Sequence, residues 1–552
     1  MLEGCVPWPA DLAARYRRRG WWEGITIPQL LERSAARRPR KTALVCGELR
    51  LSYADLVTGS RRLACRFLDA GIRALDRVVL QLPNGPEFVF AYFALTRIGA
   101  IPVTALRAHR HSEIRHFLKA SGAAAYVIPD RIGNFDYREM AREVLPDAPA
   151  LRHVFVAGEP CPGQLDLRAM IAAPMADAAV VAALVGHDPD PAEVTTMLLS
   201  GGTTSLSKLI PRTHDDYLLN ARLCGRAGGF DENTVFLAIL PLGHNYNLAS
   251  PGMLGCFYYG GTVVLAPSGD AAEVFSLVQR ERVSVIAAVV PLISNWLNSS
   301  LPDEYDLSSL KVVQNGGARL APELRGRLRE RFGCIAQEIY GTAEGLINMV
   351  PLDAPDDMLL NSSGVPVCED DEIKVLDDDG KEVPDGEPGE LVTRGPYTIQ
   401  GYYRAPERQA EAFTRDGFYR MGDIVRKQGR HVFTEGRRKD LINRGGEKIS
   451  CEEVENLIFG HPKVKAVTLV AMPDPVFGEK ACAFVIAKEG ETLEFGELID
   501  FLRRQKIASF KLPERLEVVS EFPLSPVGKI LKRQLREMIA ARIEDEKAAA
   551  RV

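Results

Sequence analysis

Residues 195–214 read TTMLLSGGTTSLSKLIPRTH. The β-branched and apolar run Thr195–Leu199 predicts a strand, and Leu209–Arg212 predicts a second one. A helix starts only at Thr213, with Asp216 three residues on as its capping partner. The segment between, Ser200-Gly201-Gly202-Thr203-Thr204-Ser205-Leu206-Ser207-Lys208, therefore joins strand to strand. A P-loop needs Gly-Lys-Ser/Thr running straight into a helix whose N-terminus faces the phosphate. Here Lys208 follows Ser207, and no helix dipole is aimed at the loop. Phosphate binding is still within its chemistry. Two glycines let backbone N–H groups converge into an anion nest. Thr203, Thr204, Ser205 and Ser207 add hydroxyl donors, and Lys208 adds positive charge. The bland alternative is a polar hairpin turn.

Bulk properties bound the rest. A chain of 552 residues exceeds what one core supports, so at least two domains are expected. It is 46% apolar and 26% charged, with 68 basic against 73 acidic residues, so no nucleic-acid surface is indicated. Arg15, Arg17, Arg18 and Arg19 precede Trp21-Trp22-Glu23 rather than an apolar signal core, and read as a solvated helix end. The most apolar stretch, IAAPMADAAVVAALVG, is broken by Pro174 and Asp177, so no membrane span is expected. Ten scattered cysteines without C-x-x-C fit a reduced, cytoplasmic compartment and exclude a zinc cluster.

Along the chain, TALVCGELRLS, DRVVLQL, GAAAYVIP, TVFLAILPL, GTVVLAP, VSVIAAVVP and KVVQNGG read as short strands between helical segments. That alternation predicts an α/β fold: a large N-terminal domain over 1–437 with mostly parallel sheets flanked by helices. Its last part, about 363–437, turns Gly-, Pro- and Asp-rich and reads as a small β-rich subdomain. EGRRKDLINRGGEKIS is a polar connector. Beyond it, a helix over Cys451–Phe459, two strands, a helix over Phe495–Gln505 and a terminal helix after Gly528 predict a small α+β domain at 438–552. The charged tail after Ala540 reads as a frayed helix end.

Six segments in order, SGGTTSLSK, NGGARL (315–320), YGTAEG (340–345), YRMGDIVR (419–426), EGRRKDLINRGGEKIS (435–450) and PVGKILKRQL (526–535), resemble the core motifs of the adenylate-forming superfamily. That superfamily includes acyl-CoA ligases, luciferases and peptide-synthetase adenylation domains. PLGHNYNLASPG (241–252) is similar to the substrate segment of its stand-alone aryl acid adenylating enzymes. The resemblance implies a first half-reaction between ATP and 2,3-dihydroxybenzoate or salicylate, giving acyl-adenylate and pyrophosphate. In the second half the aryl group passes to the phosphopantetheine thiol of a carrier protein, as in siderophore assembly. The chain ends soon after Lys529, so that carrier is expected to be separate. Membrane and nucleic acid are not expected partners.

The same resemblance assigns residues. Lys529 matches the lysine that bridges carboxylate and α-phosphate, and Glu344 the Mg2+ carboxylate. Ser200, Gly201, Gly202, Thr203, Thr204, Ser205 and Lys208 match the β/γ-phosphate loop. Gly316, Gly317, Ala318 and Tyr340 match the adenine site, followed by Gly341 and Thr342. Asp423 and Arg437 match the ribose contacts. His244 matches the gating position; Asn245, Tyr246, Ser250, Ile339 and Ile347 match the acid pocket. Lys439 and Asp440 match the hinge about which the small C-terminal domain is mobile, while Gly446 and Lys448 match the loop that serves the thiol step. Four positions depart from the general pattern. Ala343 replaces a threonine common in the superfamily and marks the aryl subgroup. Asn247 replaces proline, Asn315 a small apolar residue, and Ser205 a glycine. Asn247 and Asn315 leave open a heteroaromatic or amino-substituted acid such as 3-hydroxypicolinate, and an aryl-CoA ligase is the alternative on the acceptor side.

If the loop keeps the φ > 0 that glycine supplies, Ser205 stores strain of about 1–3 kcal/mol. A Ser205→Gly variant is then expected to bind ATP as tightly as the parent or more so, measured by titration calorimetry. A clear loss would make the hydroxyl a phosphate ligand.

Overall fold

The computed structural model describes residues 1–200, 207–437, 440–445, 447–505, 507–525 and 528–549, and of 448 and 547–549 the backbone. The α/β alternation folds into two large sheets. In the nine-stranded one, six strands run parallel in the order Ile335–Thr342, Val312–Gly316, Val285–Ala288, Val235–Ala238, Thr262–Leu265, Thr42–Cys46. Antiparallel strands close both edges: Leu49–Ser52 at one, Gly345–Met349 and Val365–Pro366 at the other. The interior strands are apolar on both faces; every residue of Val285–Ala288 is buried, as a parallel strand covered by helices on both sides requires.

The seven-stranded sheet runs Leu209–Thr213, Val194–Leu199, Ile101–Thr104, Arg77–Leu80, Ala125–Pro129, His153–Ala157, Leu165–Asp166. Its only antiparallel pair among the described residues is the opening hairpin, Val194–Leu199 with Leu209–Thr213. The helix His214–Ala227 begins where the sequence places it: Thr213 Oγ1 accepts from Asp216 N (3.2 Å) and Asp216 Oδ2 accepts from Thr213 N (2.7 Å). The same reciprocal cap, Ser52 with Asp55, starts Tyr53–Asp69. One continuous apolar core lies between and around the two sheets. A smaller antiparallel sheet, Glu372–Leu376, Gly389–Arg394, Tyr419–Gln428, His431–Arg437, follows; ahead of it, Val365–Pro366 still pairs within the nine-stranded sheet.

The C-terminal unit has its own five-stranded sheet and its own two apolar clusters. Three readings change here. The polar connector contains two strands, Ile442–Arg444 and Glu447–Ile449, which pair with each other and extend that sheet. Three residues per strand carry too little periodicity to be seen in sequence. The tail is not frayed: one helix runs Lys532–Ala549, with Leu535 and Ile539 in the core, Glu546 on Arg515 (2.6 Å) and Arg542 on Glu517. The N-terminal arginines are not simply solvated. Arg15 and Arg19 reach Asp370 (3.4 and 3.1 Å) and Arg17 reaches Asp215 (3.3 Å).

One buried pair couples the two large sheets. Arg212 Nε donates to Asp216 Oδ1 (2.7 Å), Nη1 to the Ala343 carbonyl (2.9 Å) and Nη2 to the Tyr397 carbonyl (3.1 Å). Asp216→Ala strands the buried guanidinium and is expected to cost about 3 kcal/mol, seen as a lower calorimetric midpoint. Glu537→Ala, which breaks only the exposed Arg533–Glu537 pair, should leave that midpoint unchanged.

Candidate active site

In open parallel sheets, ligands gather beyond the carboxyl ends of the strands. Here Gly316, Thr342, Ala238 and Ala288 end strands of the nine-stranded sheet, and Leu199 and Thr104 end strands of the other. The two sets of loops meet: a Cβ added to Gly243 would lie 3.3 Å from the Ala105 carbonyl.

The neck of the opening loop is closed by two bonds. Ser200 N donates to the Lys208 carbonyl (3.0 Å), and Lys208 N donates to Ser200 Oγ (2.8 Å). Gly201, Gly202, Thr203, Thr204 and Ser205 lie outside the described residues. The Lys208 ammonium sits 4.3 Å from the centroid of the Tyr402 ring, and Tyr402 Oη donates to Glu344 Oε1 (2.9 Å). Glu344 is buried, and its carbonyl accepts from Ile399 N (2.8 Å). With Arg212 holding the carbonyl of the preceding Ala343, the segment that presents Glu344 is fixed on both sides. Thr342 Oγ1 donates to the Gly345 carbonyl (2.9 Å).

Tyr340 Oη donates to Asp423 Oδ2 (2.7 Å), and Arg437 Nε lies 3.4 Å from Asp423 Oδ1. Burial pushes the Asp423 carboxyl up, and Arg437 and Tyr340 oppose that shift. Gly317 and Ala318 are exposed, so the loop after Val312–Gly316 lines an open cleft. Lys529 enters this cleft from the C-terminal unit. A Cβ on Gly317, whose φ is +87°, would lie 3.1 Å from Lys529 Cε. The turn that carries it is tied by Ser525 N to the Lys529 carbonyl (2.7 Å) and Lys529 N to Ser525 Oγ (3.0 Å). Burial, then Arg437, pushes the Lys529 ammonium down to about 8, while Asp423 and Glu344 pull the other way. His244 is close enough to feel Lys529; burial first and that charge second push it down to about 3, so its ring is neutral. Its Nδ1 accepts from Tyr246 N (3.3 Å), which leaves the proton on Nε2. Lys529, Glu344, Asp423, Arg437, His244 and Gly317 are thus brought together from both units.

Asn245, Tyr246 and Ser250 line up along the short helix Asn245–Ala249 and its C-cap. Tyr217 Oη donates to Asn245 Oδ1 (2.9 Å); Asn245 Nδ2 and Asn220 Nδ2 donate to Ser250 Oγ (3.1 and 3.0 Å). The Tyr246 ring lies against Gly316, where a Cβ would come within 2.9 Å of it. Ile339 and Ile347 are buried on the same sheet face as Gly316, by register and alternation. Asn315 therefore points to the opposite face. Its amide donates to the Ala318 carbonyl (2.7 Å) and Glu338 Oε2 (3.0 Å), so it supports the Gly317 loop and does not widen the pocket. Asn247 donates to the Leu240 carbonyl (2.6 Å).

Asp440 is tied to Arg536 (2.9 Å) and lies near Arg437. Lys439 and Gly446 lie outside the described residues, as does the side chain of Lys448. Sequence reasoning missed Arg212, Tyr402, Tyr217, Asn220 and Asn84. Asn84 clips the segment before His244, donating to the Ala238 and Leu240 carbonyls (3.2 and 2.9 Å) and accepting from Leu242 N (2.8 Å). Tyr217 and Asn220, polar and three apart on one helix face, were the detectable signal. The others act on carbonyls and rings far along the chain. Among the described residues, no three His, Cys, Asp or Glu side chains form a metal-holding group.

Comparison with known proteins gives the same outline. The family described as AMP-binding enzyme matches residues 31–403, and its AMP-binding enzyme C-terminal domain matches 453–529. The chain is 46% identical to 2,3-dihydroxybenzoate-AMP ligase of Bacillus subtilis (strain 168), over 98% of this chain and 99% of that protein. It is 44% identical to a Streptomyces salicylyl-CoA synthase / salicylate adenylyltransferase, over 99% of both. Among solved structures, the apo structure of MbtA from Mycobacterium smegmatis superposes with a TM-score of 0.74 at 36% identity, over 97% of this chain and 98% of that one.

The electrostatics of the cleft are testable without any ligand. Lys529 should be acetylated with a pH midpoint near 8, whereas a free lysine titrates at about 10.4. Arg437→Ala removes a repelling charge and should raise that midpoint; Asp423→Asn removes an attracting one and should lower it. Mass-spectrometric competitive labelling reads both, and a Lys529 midpoint indistinguishable from exposed lysines would refute the enclosure.

Proposed function

The chain belongs to the AMP-binding enzyme family, and from that premise we propose that it activates an aryl carboxylic acid, 2,3-dihydroxybenzoate or salicylate, with ATP. An oxygen of the acid attacks the α-phosphorus, the bond to pyrophosphate breaks, and an aryl-adenylate forms. A thiol sulfur then attacks the aryl carbonyl carbon, and AMP leaves as the thioester forms. The observation that carries the reading is Lys529 laid over Gly317 beside Asp423, Arg437 and Glu344.

Two anions meet in the first step, and a compact ammonium in a partly dehydrated cleft lowers the cost of bringing them together. Asp423, oriented by Tyr340 and Arg437, accepts from the ribose hydroxyls; Gly316, Gly317 and Ala318 lie against adenine, with the Tyr340 ring as its stacking face. Ser200, Lys208 and the loop between them take the β- and γ-phosphates. Glu344 fits Mg2+ of the kind phosphates carry: one carboxylate, its other oxygen already oriented by Tyr402, and no surrounding cage of ligands. When bound, Mg2+ would supply charge neutralisation at the phosphates. Neutral His244 closes the acid pocket without repelling Lys529 as an imidazolium would. Tyr246, Ile339 and Ile347 form apolar walls. Asn245 faces the acid's polar head and Ser250 a ring hydroxyl, and polar contacts of this kind reject acids that lack the matching group.

The acceptor is the phosphopantetheine thiol of a separate carrier protein in siderophore or related nonribosomal synthesis. Free CoA is the second reading, favoured by the likeness to a protein named as both CoA synthase and adenylyltransferase. Asp440 serves as hinge, with Lys439, and the Gly446–Lys448 segment attends the thiol step. Ten free cysteines, seven of them buried, fit a reducing cytoplasm, and among the described residues no helix is long and apolar enough to cross a membrane.

Pyrophosphate exchange should be fastest with 2,3-dihydroxybenzoate or salicylate, slower with benzoate and 3-hydroxypicolinate, and absent with octanoate. Lys529→Ala should lower exchange by about 10²–10³ while retaining thioester formation from supplied aryl-adenylate. Preference for the aliphatic acid would overturn the pocket assignment. Transfer to CoA but to no carrier protein would select the second acceptor.

A further inference from the structure

Arg319 directly follows the Gly316-Gly317-Ala318 loop. Its Nη2 donates to the Asn361 carbonyl (2.8 Å), which anchors the guanidinium to the large unit. Its Nη1 donates to Glu452 Oε1 (3.3 Å), in the first turn of Cys451–Phe459 in the C-terminal unit. Thr434 Oγ1 donates to the same carboxylate oxygen (3.2 Å). Both charged side chains are mostly enclosed, 15% and 18% exposed, so water screens the pair weakly. The other polar bonds described across this junction are hydroxyl-to-carbonyl: Ser450 Oγ to Glu435 (2.6 Å) and Ser294 Oγ to Lys465 (3.2 Å). Phe459, at the far end of the same helix, packs on the large core.

We propose that Arg319 and Glu452 are positioning residues for Lys529: their ion pair holds the C-terminal unit in the setting that lays Lys529 over Gly317. The loop that borders the cleft and the contact that docks the second unit are consecutive in sequence. Whatever orders Gly316–Ala318 therefore also orders the docking guanidinium. The pair acts in the first half-reaction and has to break before the C-terminal unit can take up a different position for the second. This rests on the reading of Lys529 as the adenylation lysine.

The test separates the two half-reactions. Glu452→Ala should slow pyrophosphate exchange about tenfold, within the usual range of coupling between sites, with the KM for the acid unchanged. Thioester formation from supplied aryl-adenylate should run at the parent rate or faster. Because the pair acts through Lys529, adding Glu452→Ala to Lys529→Ala should change exchange no further. A charge-reversed pair, Arg319→Glu with Glu452→Arg, should recover part of the exchange lost in either single reversal. Equal slowing of both half-reactions, or a further loss on top of Lys529→Ala, would reduce the pair to general stability and overturn the proposal. If the parent protein shows no aryl acid-dependent exchange, the functional reading falls and the docking claim is decided by hydrogen exchange. Faster exchange at 294–297 and 434–437 in Glu452→Ala than in the parent upholds it, and equal rates refute it.

Discussion

A guanidinium with no access to water holds this molecule's working parts in register. Arg212 sits on the second strand of the opening hairpin, four residues beyond Lys208. Burying a charge is tolerable only when it is paired and its remaining donors are satisfied. Asp216 provides the pair, and the carbonyls of Ala343 and Tyr397 take the other donors. Those carbonyls belong to the segments that present Glu344 and lead to Tyr402. The hairpin of one sheet, the edge of the other and the approach to the small antiparallel sheet are thus referenced to one planar group. Its fork geometry tolerates little displacement.

Around the cleft, charge is arranged so that each group restrains the next. Asp423 is buried enough to resist ionisation, yet Arg437 and Tyr340 oppose that resistance. Arg437 in turn helps to weaken the proton affinity of Lys529, and Lys529 helps to keep His244 neutral. The chain of effects runs from the small antiparallel sheet through the C-terminal unit to the pocket helix. No one of these groups can be moved without changing the protonation balance of its neighbour.

Much of the architecture was legible because its signals are local. The strand–loop–strand reading of 194–213 rested on β-branched runs and on Thr213 capping with Asp216, a bond spanning three residues. The buried strands announced themselves as short apolar runs. What escaped was carried by long-range pairing, which leaves no periodicity. Arg212 finds its carbonyls 131 and 185 residues away, Arg15 finds Asp370, and the short strands Ile442–Arg444 and Glu447–Ile449 exist only because a neighbouring sheet edge accepts them. Site residues came from ordered motifs, and their supports did not. Nothing next to Asn84 or Tyr402 in sequence says that one clips the segment before His244 and the other orients Glu344. Asn315 was read as a change in the pocket because its face of the strand was not fixed until the register was known.

That strand face has a wider meaning. Along Ile335–Thr342 and its neighbours, Gly316, Ile339, Gly341 and Ile347 point one way, and Asn315, Glu338 and Tyr340 the other. The first set borders the ring of Tyr246; the second supports the Gly317 loop and Asp423. Mutation can therefore redraw one side of the sheet while the other stays under separate constraint. Chemistry and selectivity are inherited on opposite faces of the same backbone, so a lineage can diversify its acids without rebuilding its use of nucleotide.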